Sequence, residues 1–306
     1  MFQARSQNRR PRLKDAAIAE VLRAVSAEKL LAYVDLLAFP RHYVAERQAN
    51  VHARDLLLRL FRGLGYDPVL QGRYDNIIAC SSDAQDGPVL LLGAHYDSVP
   101  GTPGADDNAS ALAVCLECAR LLREHQVGST MIVLFNGEED GLLGSRDFVE
   151  ETVRQREWMI HEAHIFEMVG FCSRAPGSQR MPPGLPSMLA PQVGDFLGLL
   201  ANRKSNAVAE SLLRLAATYV APFAVTALKI YLGLERFFGH LLRSDHAPFW
   251  EAGLLAVMWT DTAEFRNPHY HLPSDTPDTL DYEFLANVTR LALARAVSWE
   301  RQESAS

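Results

Sequence analysis

The stretch VLLLGAHYDSVPGTPGADDNAS, residues 89–110, decides how this chain folds. It opens on an unbroken apolar run at 89–92 and then places one histidine, three aspartates and five glycines or prolines within residues 93–110. A short continuous apolar run bounded by turn-formers reads as a strand buried on both faces. The loop after it lies at the strand's carboxyl end, where open α/β sheets hold their ligands. Further apolar runs at 131–135, 164–169, 196–200 and 254–259 are separated by segments of helical period. The pattern predicts an α/β fold with a buried central sheet and helices packed outside it.

Apolar spacing predicts helices over 16–37 and 49–64, with others starting near Asn108, near Ser145 and near Asn206, and a last one over 282–301. Asn108 is the expected N-cap of the helix that follows the acidic loop. Residues 1–14 read as a disordered basic tail, and 15–306 as a single domain with an irregular, proline- and glycine-rich loop at about 171–191. The apolar stretch at 216–228 is broken by Pro222 and is too short to span a bilayer.

A net charge of −7 argues against nucleic acid as partner, because phosphate binding wants a positive patch. A peptide or other small substrate is the expected partner, with neither nucleic acid nor membrane. Cys80, Cys115, Cys118 and Cys172 are few and scattered in apolar segments, which suits reduced thiols and a cytoplasmic location. Cys115 and Cys118 form a C-x-x-C without a second pair and read as packing residues.

Acids and histidines gather at three more strand ends: NGEED at 136–140, FEM at 166–168 and NPHYHLPSDT at 267–276. Each alone reads as a solvated turn. Together, Asp97, Asp106, Asp107, Glu138, Glu139 and Glu167 at one end of a sheet would repel one another strongly unless cations lie among them. Imidazole mixed with carboxylate suits an open catalytic zinc site.

HYDSVPGTPGADDNAS, FNGEEDGLLGS, IFEMVG, SDHAPFW and NPHYHLPSDT, in this order over roughly residues 85–290, resemble the zinc exopeptidases of metallopeptidase family 28. That family also includes glutamate carboxypeptidase and, more distantly, glutaminyl cyclases. The resemblance implies a mixed, largely parallel central sheet flanked by helices, a zinc-peptidase sandwich. It implies two zinc ions: His95 and Glu167 on one, Glu139 and His271 on the other, with Asp107 bridging them. Asp107 is preferred to Asp106 because it directly precedes Asn-x-Ser, and His271 to His269 because it stands four residues before Asp275-Thr276. It further implies that Glu138 is the general base, that Asp97 accepts the second imidazole N–H of His95, and that Tyr270 donates to the oxyanion. Glu167 departs from the aspartate common at that place, which predicts a shifted metal rather than a lost one.

The activity implied is that of an aminopeptidase. A glutaminyl cyclase or other amidohydrolase, and a non-catalytic member of the fold, are the alternatives; the intact Asp107-Asn108-Ala109-Ser110 favours hydrolysis. Ser244-Asp245-His246 holds the residue types of a serine-hydrolase triad, but contiguous residues cannot align as one. In the resemblance that segment lines the site. His161 and His164 read as surface histidines.

Overall fold

The computed structural model describes residues 1–306 except 81–86, 156–157, 182, 184–190 and 304–306. Its nine described strands form one sheet: β1 (Phe2–Arg5), β2 (Val69–Gln71), β3 (Asn76–Cys80), β4 (Pro88–His95), β5 (Thr130–Phe135), β6 (Met159–Glu167), β7 (Phe196–Ala201), β8 (Ala224–Lys229) and β9 (Ala256–Thr260). The order across it is β1-β8-β7-β9-β6-β4-β5-β3-β2. The central strands β9, β6, β4 and β5 run parallel, while β1, β2, β3 and β7 bring antiparallel pairings toward the edges. The sheet is thus mixed, as expected, and its parallel centre ends at one edge.

Alternation along each strand sends neighbouring side chains to opposite faces. Leu90, Leu92 and Ala94 pack with α1 (Ala16–Arg23), α2 (Ala27–Leu37), α3 (Arg47–Gly63), α4 (Ala111–Glu124), α6 (Asn206–Leu215) and α8 (Tyr282–Glu303). Val89, Leu91, Met131, Val133 and Phe135 face the other way, toward α5 (Leu143–Gln155) and α7 (His246–Glu251). There Phe135 meets Phe148 and Phe249 edge-on, at centroid distances of 5.7 and 6.3 Å. Both faces of the parallel strands are therefore covered, which is why they are written as continuous apolar runs.

Two local expectations differ here from what is observed. The helix expected over 16–37 is two helices, because the Ser26 hydroxyl accepts from Lys29 N at 3.2 Å and caps α2. The N-terminal segment is not a disordered tail: β1 pairs antiparallel with β8, and Arg9 forks onto Glu210 at 2.6 and 2.9 Å. Backbone pairing with an otherwise open sheet edge supplies the order that composition alone did not announce. Of the loop at 171–191, residues 171–181 and 183 carry neither helix nor strand, and the remainder up to 190 lies outside the described residues. All four cysteines are free thiols, with Cys115 and Cys118 buried in α4. Among the described residues no helix is long and apolar enough to cross a membrane.

His164 is buried, not on the surface, and sits in a polar cluster on β6. Trp259 Nε1 donates to its Nδ1 at 3.1 Å, so the proton is on Nε2, which faces Glu162 Oε1 at 2.8 Å. Arg295 donates to the same oxygen at 2.5 Å. Burial works to raise the Glu162 carboxyl, but the hydrogen bonds from His164 and Arg295 outweigh it and bring it down to about 2. A carboxyl lowered on folding contributes stability above its unfolded value and loses it as pH falls through the folded one. The contribution of Glu162 is therefore full above about pH 4.5 and gone near pH 2, and amounts to roughly 3 kcal/mol at ~1.4 kcal/mol per unit. Urea unfolding followed by Trp fluorescence should show Glu162→Gln less stable than the natural chain at pH 7, with the gap narrowing as pH drops below about 4.5.

Candidate metal centre

The strand register brings the first donors together. Gly93 lies opposite Ile165, so two residues further on the ends of β4 and β6 set His95 beside Glu167. His95 Nε2 is 3.2 Å from Asp107 Oδ1 and 3.6 Å from Glu167 Oε2. His271 Nε2 is 3.2 Å from Asp107 Oδ2 and 3.7 Å from Glu139 Oε2. Asp107 thus turns one oxygen toward each histidine. The five side chains make two overlapping triads, His95/Asp107/Glu167 and Asp107/Glu139/His271, whose donor atoms lie within 4.8 Å of one another. Glu138 also falls within reach, in a group with His95 and Glu139.

This donor set fits a divalent cation. Nε2 of His95, Oδ1 of Asp107 and Oε1 of Glu139 are buried without a hydrogen-bond partner. Buried polar atoms are almost always paired, so three orphans in one cluster mark the place of an ion. Imidazole and carboxylate are the ligands that a catalytic zinc takes.

The motif around Asp107 is a brace for the strand opposite. Gly104 adopts φ +60°, and a Cβ there would run into the Asp107 carbonyl, so glycine is required. Asp106 turns away from the histidines and accepts from Gly170 N at 2.9 Å and Asn267 Nδ2 at 2.7 Å. Asn108 does not cap the helix. Its Nδ2 donates to Phe166 O and its Oδ1 accepts from Met168 N, both at 3.0 Å, so the amide straddles Glu167. Ser110 Oγ accepts from Val169 N at 3.2 Å. Pairing the end of a buried strand outweighs the local capping preference, because these backbone groups have no water to turn to. Asp275 accepts from Asp106 N and Asp107 N at 2.9 and 3.1 Å, tying the last loop to the bridging one.

Asp97 serves two partners. Its Oδ1 stands 3.4 Å from His95 Nδ1, and its two oxygens accept from Glu138 N and Glu139 N at 3.2 Å each. It therefore orients the histidine and also fixes the backbone of the acidic pair. Ser244, which sequence reasoning placed only as site lining, donates to Glu167 Oε2 at 2.7 Å and holds the longer side chain. His246 Nε2 is 2.9 Å from Leu241 O, so Ser244, Asp245 and His246 form no relay. Tyr270 stacks on His271 at 3.7 Å between centroids, and its hydroxyl accepts from Arg243 Nη2 at 2.7 Å.

Burial, aided by Glu167 and Glu139 and opposed by His95, pushes Glu138 well above its ordinary value. Burial raises Asp245 to about 7, with Glu167 acting in the same direction. The cluster opens on a cavity of about 400 Å³ lined by Asp107, Glu138, Glu139, Glu167, Tyr270 and His271. A second, largely apolar chamber of about 140 Å³, walled by Phe196, Leu199, Leu228, Met258 and Phe265, shares Glu167, Arg243 and Tyr270 with it.

Residues 76–296 match the peptidase family M28. The YfbL protein of Escherichia coli K12 is 37% identical over 238 residues, which are 72% of this chain and 70% of that one. LapB from Legionella pneumophila shares the fold, with a TM-score of 0.75 over 92% of this chain and 74% of that one at 20% identity. The zinc aminopeptidase BSAP from Bacillus subtilis aligns with a TM-score of 0.53 at 27% identity, over 72% of this chain. The chain spans about half of that protein's length, 49%. The family match over most of the sequence, with more than a third of the 238 aligned residues identical in YfbL, makes this chain a member of peptidase family M28.

Proposed function

We propose that this member of the zinc metallo-exopeptidases is an aminopeptidase, with His95, Asp107 and Glu167 holding one zinc and Asp107, Glu139 and His271 a second. The observation that carries this reading is the placement of Asp107, one oxygen toward each histidine, beside a cavity that continues into an apolar chamber. Bound zinc would supply Lewis acidity, activating a water and polarising the scissile carbonyl.

The chain's own residues do the rest. Glu138 lines the cavity next to the donor set and takes the proton of the attacking water, then gives it to the leaving amine. Tyr270 has its hydroxyl oxygen occupied by Arg243, which leaves the hydroxyl hydrogen free for the oxyanion of the tetrahedral intermediate. The free amine of the substrate lies against Glu167, and an apolar N-terminal side chain enters the chamber that Glu167 borders. Anchoring a charged terminus beside the scissile bond limits cleavage to the first residue. The four free thiols, two of them buried in α4, support the reading that the protein works in a reducing compartment, the cytoplasm.

Two results are expected. Free peptides beginning with leucine, methionine or phenylalanine are cleaved at the first bond, their N-acetylated forms are not, and chelator stops the reaction until zinc is restored. Cleavage of acetylated peptides, or cyclisation of N-terminal glutamine without hydrolysis, contradicts the reading. Glu138→Gln lowers kcat by about 10²–10⁴-fold while zinc content, measured by plasma emission, stays as in the natural chain.

A further inference from the structure

Arg41 lies in the connector between α2 and α3, outside the residues matched to the family, and is fully buried at 0% exposure. Among the described residues its side-chain hydrogen bonds all go to backbone carbonyls. Nε donates to Tyr96 O at 2.8 Å, Nη1 to Phe39 O at 3.0 Å and Pro103 O at 2.6 Å, and Nη2 to Gly104 O at 3.1 Å. Its own backbone N donates to Ser98 Oγ at 3.0 Å. Tyr96 stands between His95 and Asp97, and Gly104 comes just before Asp106 and Asp107. One planar guanidinium therefore ties the entrance of the metal-site loop to its exit.

The same connector reaches the second loop. Asn50 Nδ2 donates to Arg41 O at 2.9 Å, and the Asn50 and Asn136 amides exchange hydrogen bonds at 2.9 and 3.1 Å. Asn136 leads directly into Glu138 and Glu139. We propose that Arg41 is a positioning residue of the metal centre, fixing the separation of His95 and Asp97 from Asp107 and, through Asn50, the placing of the acidic pair. The inference rests on the two-zinc reading above.

A buried guanidinium is a costly way to close a loop, and its cost is met only by a geometry that needs a rigid fork of donors. Burial brings the group down to about 10, with Asp97, Asp107, Asp275 and Glu139 pulling the other way, so it stays charged at neutral pH. A charge that acted only by field would repel the incoming cation, and its removal would tighten metal binding. A staple acts in the opposite sense: its removal loosens the donor set. The sign of the change in zinc affinity separates the two.

The experiment compares the natural chain with Arg41→Lys, which keeps the charge and loses the fork, and with Arg41→Ala. Zinc is titrated into metal-free protein by calorimetry, and kcat and KM are measured with zinc saturating; circular dichroism reports folding. Arg41→Lys is expected to bind zinc about 10–100-fold more weakly, with kcat reduced and KM changed little, and added guanidinium ion should partly restore the zinc affinity of Arg41→Ala. Should Arg41→Ala fail to fold, Arg41→Lys and Asn50→Ala, which cuts the link to Asn136, carry the test with the same expected loss. Unchanged or tighter zinc binding in folded variants, or a fall in thermal stability with zinc affinity intact, overturns the inference. A natural chain that binds zinc yet cleaves no peptide refutes the aminopeptidase reading alone, because the affinity ratio still reports on Arg41. A natural chain that binds no zinc refutes both.

Discussion

Carboxylates repel, and this protein places Asp107, Glu138, Glu139 and Glu167 around a single cavity with two imidazoles among them. In a buried setting such charges are tolerated only if protons or metal ions neutralise them. The remaining polar order at this edge of the sheet resists the same repulsion. Asp97 is held by the backbone amides of Glu138 and Glu139, Asp107 and Asp106 by the side chain of Asp275, and Glu167 by Ser244 and the Asn108 amide around it. Asp107, Glu139 and Glu167 are each fixed by a segment other than their own, so the cluster acts as a junction among five chain segments.

The sheet makes that junction possible. Parallel strands β4, β5, β6 and β9 end at one edge, and the register that sets Gly93 beside Ile165 carries His95 to Glu167 without any loop. The loops then add Asp107, Glu139 and His271 from outside. Ligand sites at the carboxyl ends of parallel strands follow from this geometry, because only there do several loops leave in the same direction. The apolar chamber is walled mainly by β7, β8 and β9 and meets the metal cavity at Glu167, the last residue of β6.

The strands β4, β5, β6, β7 and β9 were legible as continuous apolar runs because both their faces are covered. Strand β2, three residues with exposed Val69 and Leu70, and β1, inside a basic segment, carry no such run. Their strandhood comes from a partner across the sheet, which no local pattern encodes. The five residues proposed as metal donors were legible as motifs in a fixed order, and the chain brings all five together. What holds them was not. Arg41 reads as an ordinary basic residue, and its meaning lies in backbone carbonyls 55 to 63 positions away. Asn108 carried a true local signal, a capping residue before a helix, that the unpaired end of β6 overrode. His164 looked like a surface residue because its partners are Glu162, two positions back, and Trp259, far along the chain.

The central claim, that cations occupy the space between these acids with Asp107 shared, is tested most directly by anomalous X-ray diffraction at the zinc edge on crystals grown with zinc. Two peaks are expected about 3.5–4 Å apart flanking the Asp107 carboxylate, one beside His95 and Glu167 and the other beside Glu139 and His271. No zinc peak at Asp107, or peaks only at surface histidines, would contradict it.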